Sequence, residues 1–196
     1  MSDAETLSLE RVHPRRRNAE ATRAAILEAA KAQFARAGYD LTSLRDIAAD
    51  AGADVALIKR YFGGKEALFT EALKASFPPD FLRGWERRAF PREIATMMAG
   101  PARADEARSH TFQFLLRAAT SPTTAPLLNV AIQERFLGPI RDWIGGEEAP
   151  ARARVLAAIY IGFLVERLIR DEPLQGAERE AFIAHATAVL EAMVRP

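Results

Sequence analysis

Two apolar patterns, each about two helical turns long, flank a single glycine in SLRDIAADAGADVALIKRYFGGKEALF, residues 43–69. Neither segment is long enough to be a stable helix in isolation. A chain that places two such segments back to back must brace them against something larger. The preceding run, RAAILEAAKAQFARA, meets that need. Ile26, Ala30 and Phe34 recur at four-residue intervals with Leu27 beside them, so the spacing predicts a first helix over 20–37 with one apolar face. Thr22 is its expected N-cap. Gly38 stands where a helix-ending left-handed residue is wanted.

The same reading continues through the motif. Thr42 or Ser43 caps a second helix to residue 51, with Leu44, Ile47, Ala48 and Ala51 inward. Gly52 makes the turn. Asp54 caps a third helix held down by Ile58 and Phe62, which leaves Val55, Ala56, Lys59 and Arg60 outward. Gly63 and Gly64 end it. Lys65 opens a fourth helix, stopped by Pro78 and Pro79. Two short helices joined by a tight turn and braced by a third form a helix-turn-helix, a shape that enters the major groove of DNA. Small side chains such as Val55 and Ala56 let a helix approach base methyl groups. Lys59 and Arg60 suit guanine edges or phosphates. Lys65, at a helix N-terminus, suits a phosphate.

Past residue 80 the pattern predicts about five more helices, near 91–99, 105–119, 125–144, 150–170 and 178–194, giving an all-α chain of about nine. Phe112, Leu115, Leu116 and Ala119 should share the buried face of the second of these. Leu128, Ile132, Phe136 and Ile140 follow at fours, with a bend expected at Gly138-Pro139. Residues 155–165, VLAAIYIGFLV, are apolar all round. That run falls short of the ~20 residues of a membrane span, so a doubly buried helix is expected. Glu166 and Arg167 are either an interface ion pair or its solvent edge. Residues 1–19 lack periodicity and are expected as a flexible basic arm, in which Arg15, Arg16 and Arg17 either track DNA or form a plain tail. The expected divisions are therefore 1–19, a DNA-binding unit over 20–64 and a helical body over 65–196.

Charge agrees in placement more than in total. Net charge is +1, yet residues 11–65 carry eleven Lys or Arg against six Asp or Glu. A basic first third on a near-neutral body is a modest footprint for nucleic acid. There is no cysteine, which removes disulfides and thiolate sites. His13, His110 and His185 lack ligand spacing, so neither a metal nor a cofactor is expected. No catalytic constellation is visible. With no apolar leader, the expected location is cytoplasmic.

Over residues 20–70 the ordered tokens Gly38-Tyr39, SLRDIA from Ser43, Ala51-Gly52, Tyr61-Phe62 and GKEALF from Gly64 resemble the DNA-binding segment of TetR-family transcriptional regulators. LLRAATSP at 115–122 and Glu172-Pro173-Leu174 resemble its regulatory part more weakly. The resemblance implies a homodimer joined through the last two helices, about 150–170 and 178–194. It implies a repressor that binds a double-stranded operator and is released by a small molecule. Control by a protein partner is the alternative. By position, the resemblance assigns Ser43 and Arg45 to phosphate or base contacts, Tyr61 to a backbone contact and Lys65 to a phosphate. Leu57 and Lys59 depart from the family pattern, which often has threonine and tyrosine there.

Overall fold

A computed structural model describes residues 14–77, 82–101, 106–170 and 172–195. The order is α1 (Pro14–Leu41), α2 (Leu44–Asp50), α3 (Val55–Phe62), α4 (Lys65–Ala75), α5 (Phe90–Ala99) and α6 (Glu106–Thr120). Then come α7 (Ala125–Ile132), a π-turn (Gln133–Leu137), α8 (Gly138–Ile144), α9 (Ala149–Arg170) and α10 (Gly176–Val194). α7, the π-turn and α8 run as one rod, so the described residues form the nine helices expected, without a strand.

The first helix begins earlier than its periodicity suggests. Residues 14–19, expected in the arm, are its opening turns. Pro14 suits a first helical position, where the N–H that proline lacks would have no partner. Arg11 and His13 lie outside the described residues, as do the side chains of Arg15, Arg16 and Arg17. Thr22 is therefore no cap. It sits inside the helix, and its hydroxyl donates to the Asn18 carbonyl at 2.8 Å. Regular helix does stop at Gly38, whose φ of 78° is one that a side chain resists. Thr42 serves this end of α1, not the start of α2: it is buried and its hydroxyl donates to the Gly38 carbonyl at 2.7 Å.

Ile26, Ala30 and Phe34 are fully buried and pack with Ile47, Ile58, Leu68, Phe69 and Leu73. The short helices are held by this shared core. It does not stop at residue 64: Phe114 and Ala118 of α6 and Leu128 and Ala131 of α7 belong to it. Phe34, Phe69 and Phe114 meet ring to ring, with centroids 4.9 Å apart for the first pair and 5.3 Å for the second. This corrects part of the expected face of α6: Phe112 is buried as expected, but Leu116 and Ala119 are exposed. Phe114 is 1% exposed while Leu116 is 43% exposed, because the helix turns its aromatic side toward α1 and α4.

A second core joins α5, α8, α9 and α10 around Met98, Ile144, Leu156 and Leu190. Small residues Ala95, Ala99 and Ala186 let α5 approach α10 closely. Just before Gly138-Pro139, where a bend is expected, the rod carries the π-turn. Pro139 has no N–H to continue the α ladder, and the Gly138 N–H reaches back to Gln133 instead. A Cβ at 138 would lie 3.1 Å from that Gln133 carbonyl. Within the chain, Glu166 and Arg167 have different partners. Arg167, 7% exposed, donates to the Pro101 carbonyl, and Glu166 accepts from Arg170 at 2.9 Å. Arg170 also donates to the Met98 carbonyl at 2.8 Å. Two arginines of α9 thus satisfy carbonyls at the end of α5, where cations are favoured.

Because Phe114 closes the core that the short helices depend on, Phe114→Ala should lower stability by about 3–5 kcal/mol, read as a reduced urea midpoint at unchanged slope.

Candidate nucleic-acid interface

The chain starts α2 by a reciprocal cap. The Asp46 N–H donates to Ser43 Oγ at 3.1 Å, and the Ser43 N–H donates to Asp46 Oδ2 at 3.3 Å. The Ser43 hydroxyl itself donates to the same carboxylate oxygen at 2.6 Å. These bonds to Ser43, with help from the Arg36 charge, hold the Asp46 carboxyl below its ordinary value. Gly52 turns the chain with φ of 59°, and the Ala53 N–H closes on the Ala48 carbonyl at 2.9 Å. Asp54 caps α3 by accepting from the Ala56 N–H at 2.6 Å. Gly63, at φ 89°, ends it.

On α3 the expected division holds except at Val55, expected outward, which packs against the core. Ile58 and Phe62 are buried, while Ala56, Lys59 and Arg60 are exposed at spacings of three and four, on one face. Val55 and Leu57 are half-buried at its edges. Tyr61 is also half-buried and packs against the core. Ser43 and Arg45 are exposed at the start of α2. Lys65 is half-buried, and its ammonium stands 4.5 Å from the Tyr39 ring centroid and 3.4 Å from the Asp40 carbonyl. Burial, then the charges of Glu66 and Asp40, push the Tyr39 phenol above its ordinary value, so the ring stays neutral.

The acids and bases of the motif are used differently. Asp46 and Asp54 are engaged in caps. Asp50 accepts from Gln33 Nε2 at 2.6 Å and lies 3.8 Å from Arg36, tying α2 to α1. Arg45, Lys59 and Arg60 form no ion pair among the described residues. The outward face therefore carries unpaired cations beside carboxylates that are tied into caps and into the α1 contact. Gly64 gives α4 no side-chain cap, so its first-turn N–H groups stay open to an anion. A lysine at that end is unfavourable in the helix dipole unless an anion joins it.

One bracing residue was not legible in the sequence. Arg23 lies 4.7 Å over the Phe62 ring and pairs with Glu71 at 3.0 Å, so it clamps α1 onto α3 and α4. Its partners lie some forty residues along the chain, beyond any helical periodicity. Among the described residues no group of His, Asp or Glu could hold a metal ion, and no helix is long and apolar enough to cross a membrane.

A braced helix-turn-helix with a cationic outer face, mounted on an all-α body, defines a DNA-binding regulator. Comparison with known proteins agrees. The family profile described as bacterial regulatory proteins, tetR family, matches residues 26–72, and the profile described as tetracyclin repressor-like, C-terminal domain, matches residues 89–194. The chain belongs to the TetR family of transcriptional regulators, which are DNA-binding proteins and not enzymes. A similar curated protein is the HTH-type transcriptional repressor SCO4008 of Streptomyces coelicolor, 42% identical over 78 residues. That match spans 35% of this chain and 41% of the relative's length. Among solved structures, a TetR-family regulator candidate from Rhodococcus sp. superposes with a TM-score of 0.66 at 15% identity, covering 90% of this chain and 100% of that one. NalD of Pseudomonas aeruginosa, the secondary repressor of the MexAB-OprM multidrug efflux pump, superposes at 0.60 with 21% identity, covering 90% and 97%. At these identities the likeness carries the fold.

The cap has a pH signature. A carboxyl depressed in the folded state stabilises above its unfolded range, and that contribution is lost as pH falls through its folded value. In acid titrations followed by circular dichroism, Asp46→Asn should be less stable than the parent at neutral pH, and the gap should close in acid, below the ordinary value of 3.8.

Proposed function

We propose that this protein represses transcription by binding an operator as a homodimer, and that a small molecule held in the helical body releases it. The observation that carries the DNA reading is the exposed face of α3, where Ala56, Lys59 and Arg60 stand together, with both cations unpaired among the described residues. Ser43 and Arg45 flank this face, and Lys65 with the uncapped start of α4 provides a phosphate seat beside it. The sense of regulation is taken from relatives named as repressors.

Dimerisation is supported by the outward sides of α9 and α10. On α9, Ala151, Val155, Ala158, Gly162 and Ile169 are exposed at helical spacing, with Val155 46% exposed. On α10, Ala181, Ala184, Ala188 and Ala192 are exposed likewise. Such a stripe is unfavourable in water, and its small side chains let helices come close. Space around the Gly162 Cα is open. Two copies joined here form a four-helix bundle and pair two α3 helices for half-sites about 34–36 Å apart. An effector that favours a different spacing weakens DNA binding, and DNA weakens the effector by the same factor.

The decisive experiment measures binding to duplex DNA from the region upstream of the protein's own gene, across a salt series. Site-specific binding is expected, with Lys59→Ala and Lys65→Ala each weakening it. Removing a lysine that neutralises one phosphate should reduce the salt slope by about 0.9. Binding that is weak and equal on all sequences would refute the operator reading for that region. Binding that is absent at low salt would refute DNA as the ligand. Ala158→Glu, which places a charge in the helical stripe, should shift the protein from dimer to monomer in sedimentation velocity and weaken operator binding with it. A dimer that survives the change would move the interface elsewhere.

A further inference from the structure

Lys65 does not wave in solvent. Its ammonium sits 4.5 Å from the centroid of the Tyr39 ring, and only the Asp40 carbonyl, at 3.4 Å, offers it a hydrogen bond. Glu66 follows it in sequence and Asp40 lies beside it in space, yet Lys65 forms an ion pair with neither. The ring is itself held in place. It lies edge-on to Phe69 at 5.0 Å and beside Phe34 at 6.1 Å, both of them core residues. Its direction comes from the backbone: Gly38, at φ 78°, turns the chain just before it, and Thr42 locks that turn through the Gly38 carbonyl.

The chemistry of this seat differs from that of a salt bridge. A carboxylate would compete with a phosphate for the ammonium and would have to be displaced. An aromatic face attracts the cation through its quadrupole and leaves its charge and most of its N–H groups available. It also restrains a side chain that would otherwise lose several rotamers on binding. The seat lies at the first residue of α4, next to the uncapped N–H groups of that helix.

We propose that Tyr39 is a positioning residue for DNA binding: its ring holds the Lys65 ammonium ready for a backbone phosphate at the start of α4. This rests on the reading of Lys65 as a phosphate contact. The hydroxyl of Tyr39 has no part in it.

The test is a double-mutant cycle on the full-length protein, with a duplex that it selects from a random-sequence pool. Tyr39→Phe should bind within about twofold of the parent. Tyr39→Leu keeps an apolar side chain without the ring and should weaken binding about two- to fivefold. In a Lys65→Ala background the same Tyr39→Leu change should have no effect. Equal weakening with and without Lys65 would overturn the proposal and assign Tyr39 to core packing. A loss in Tyr39→Phe as large as in Tyr39→Leu would overturn it in favour of the hydroxyl. Tyr39→Met replaces Tyr39→Leu if the latter melts early. The seat is also read without DNA. Ring current should shift the Lys65 ε-methylene protons upfield in the parent and in Tyr39→Phe, but not in Tyr39→Leu. No upfield shift in the parent would overturn the seat. A shifted lysine whose removal leaves DNA affinity and salt slope unchanged would overturn the phosphate contact, and with it the positioning role, while leaving the cation–π contact standing.

Discussion

The contact among Phe34, Phe69 and Phe114 is the one on which the rest depends. α2 and α3 have seven and eight residues, too short to persist by backbone hydrogen bonding alone. Their stability comes from lying on α1 and α4, and those two helices are pinned by Phe34 against Phe69. Phe114 completes the cluster from α6. Burying side chains of this size contributes about 1.5–3 kcal/mol each by area, more than any exposed ion pair nearby. The helix-turn-helix and the helical body therefore share a core.

The charge pattern on the outer face of α2 and α3 is tied to how the helices are capped. Three aspartates in a DNA-binding motif would oppose a polyanion if left free. Each is instead engaged: Asp46 by the Ser43 cap, Asp54 by the Ala56 N–H, and Asp50 by Gln33 with Arg36 nearby. The same bonds that start the helices hold the Asp46 and Asp54 carboxylates in place at the helix N-termini, where the helix dipole favours them. Arg45, Lys59 and Arg60 remain without ion pairs among the described residues, and Lys65 is held by a neutral ring. Cap formation and a cationic surface are one arrangement here, not two.

Local rules made much of this legible. The glycines at 38, 52 and 63 stand at positive φ where turns and helix ends were expected, and Ser43 and Asp54 cap the helices assigned to them. Helix limits beyond residue 90 agree with the periodicity to within two residues. The misreadings share a cause. Thr22 resembles a cap, but the helix had already begun at Pro14. α6 offers apolar residues on more than one side, and only the aromatic surface of α1 and α4 chose Phe114 over Leu116. Arg167 sits beside Glu166 in sequence but bonds to a carbonyl of the α5 end.

What the sequence determined by itself was local: which residues can begin, turn and end a helix, and which spacing makes one face apolar. Those depend on side-chain and backbone chemistry within a few residues, and so survive in one dimension. Tertiary structure decided which of two apolar faces is buried, which cations stay unpaired, and which ring supports Lys65. Arg23 meets Phe62 and Glu71 across gaps of thirty-nine and forty-eight residues, and Tyr39 meets Lys65 across twenty-six. Such contacts exist only once separate helices share a core. No helical period reaches that far.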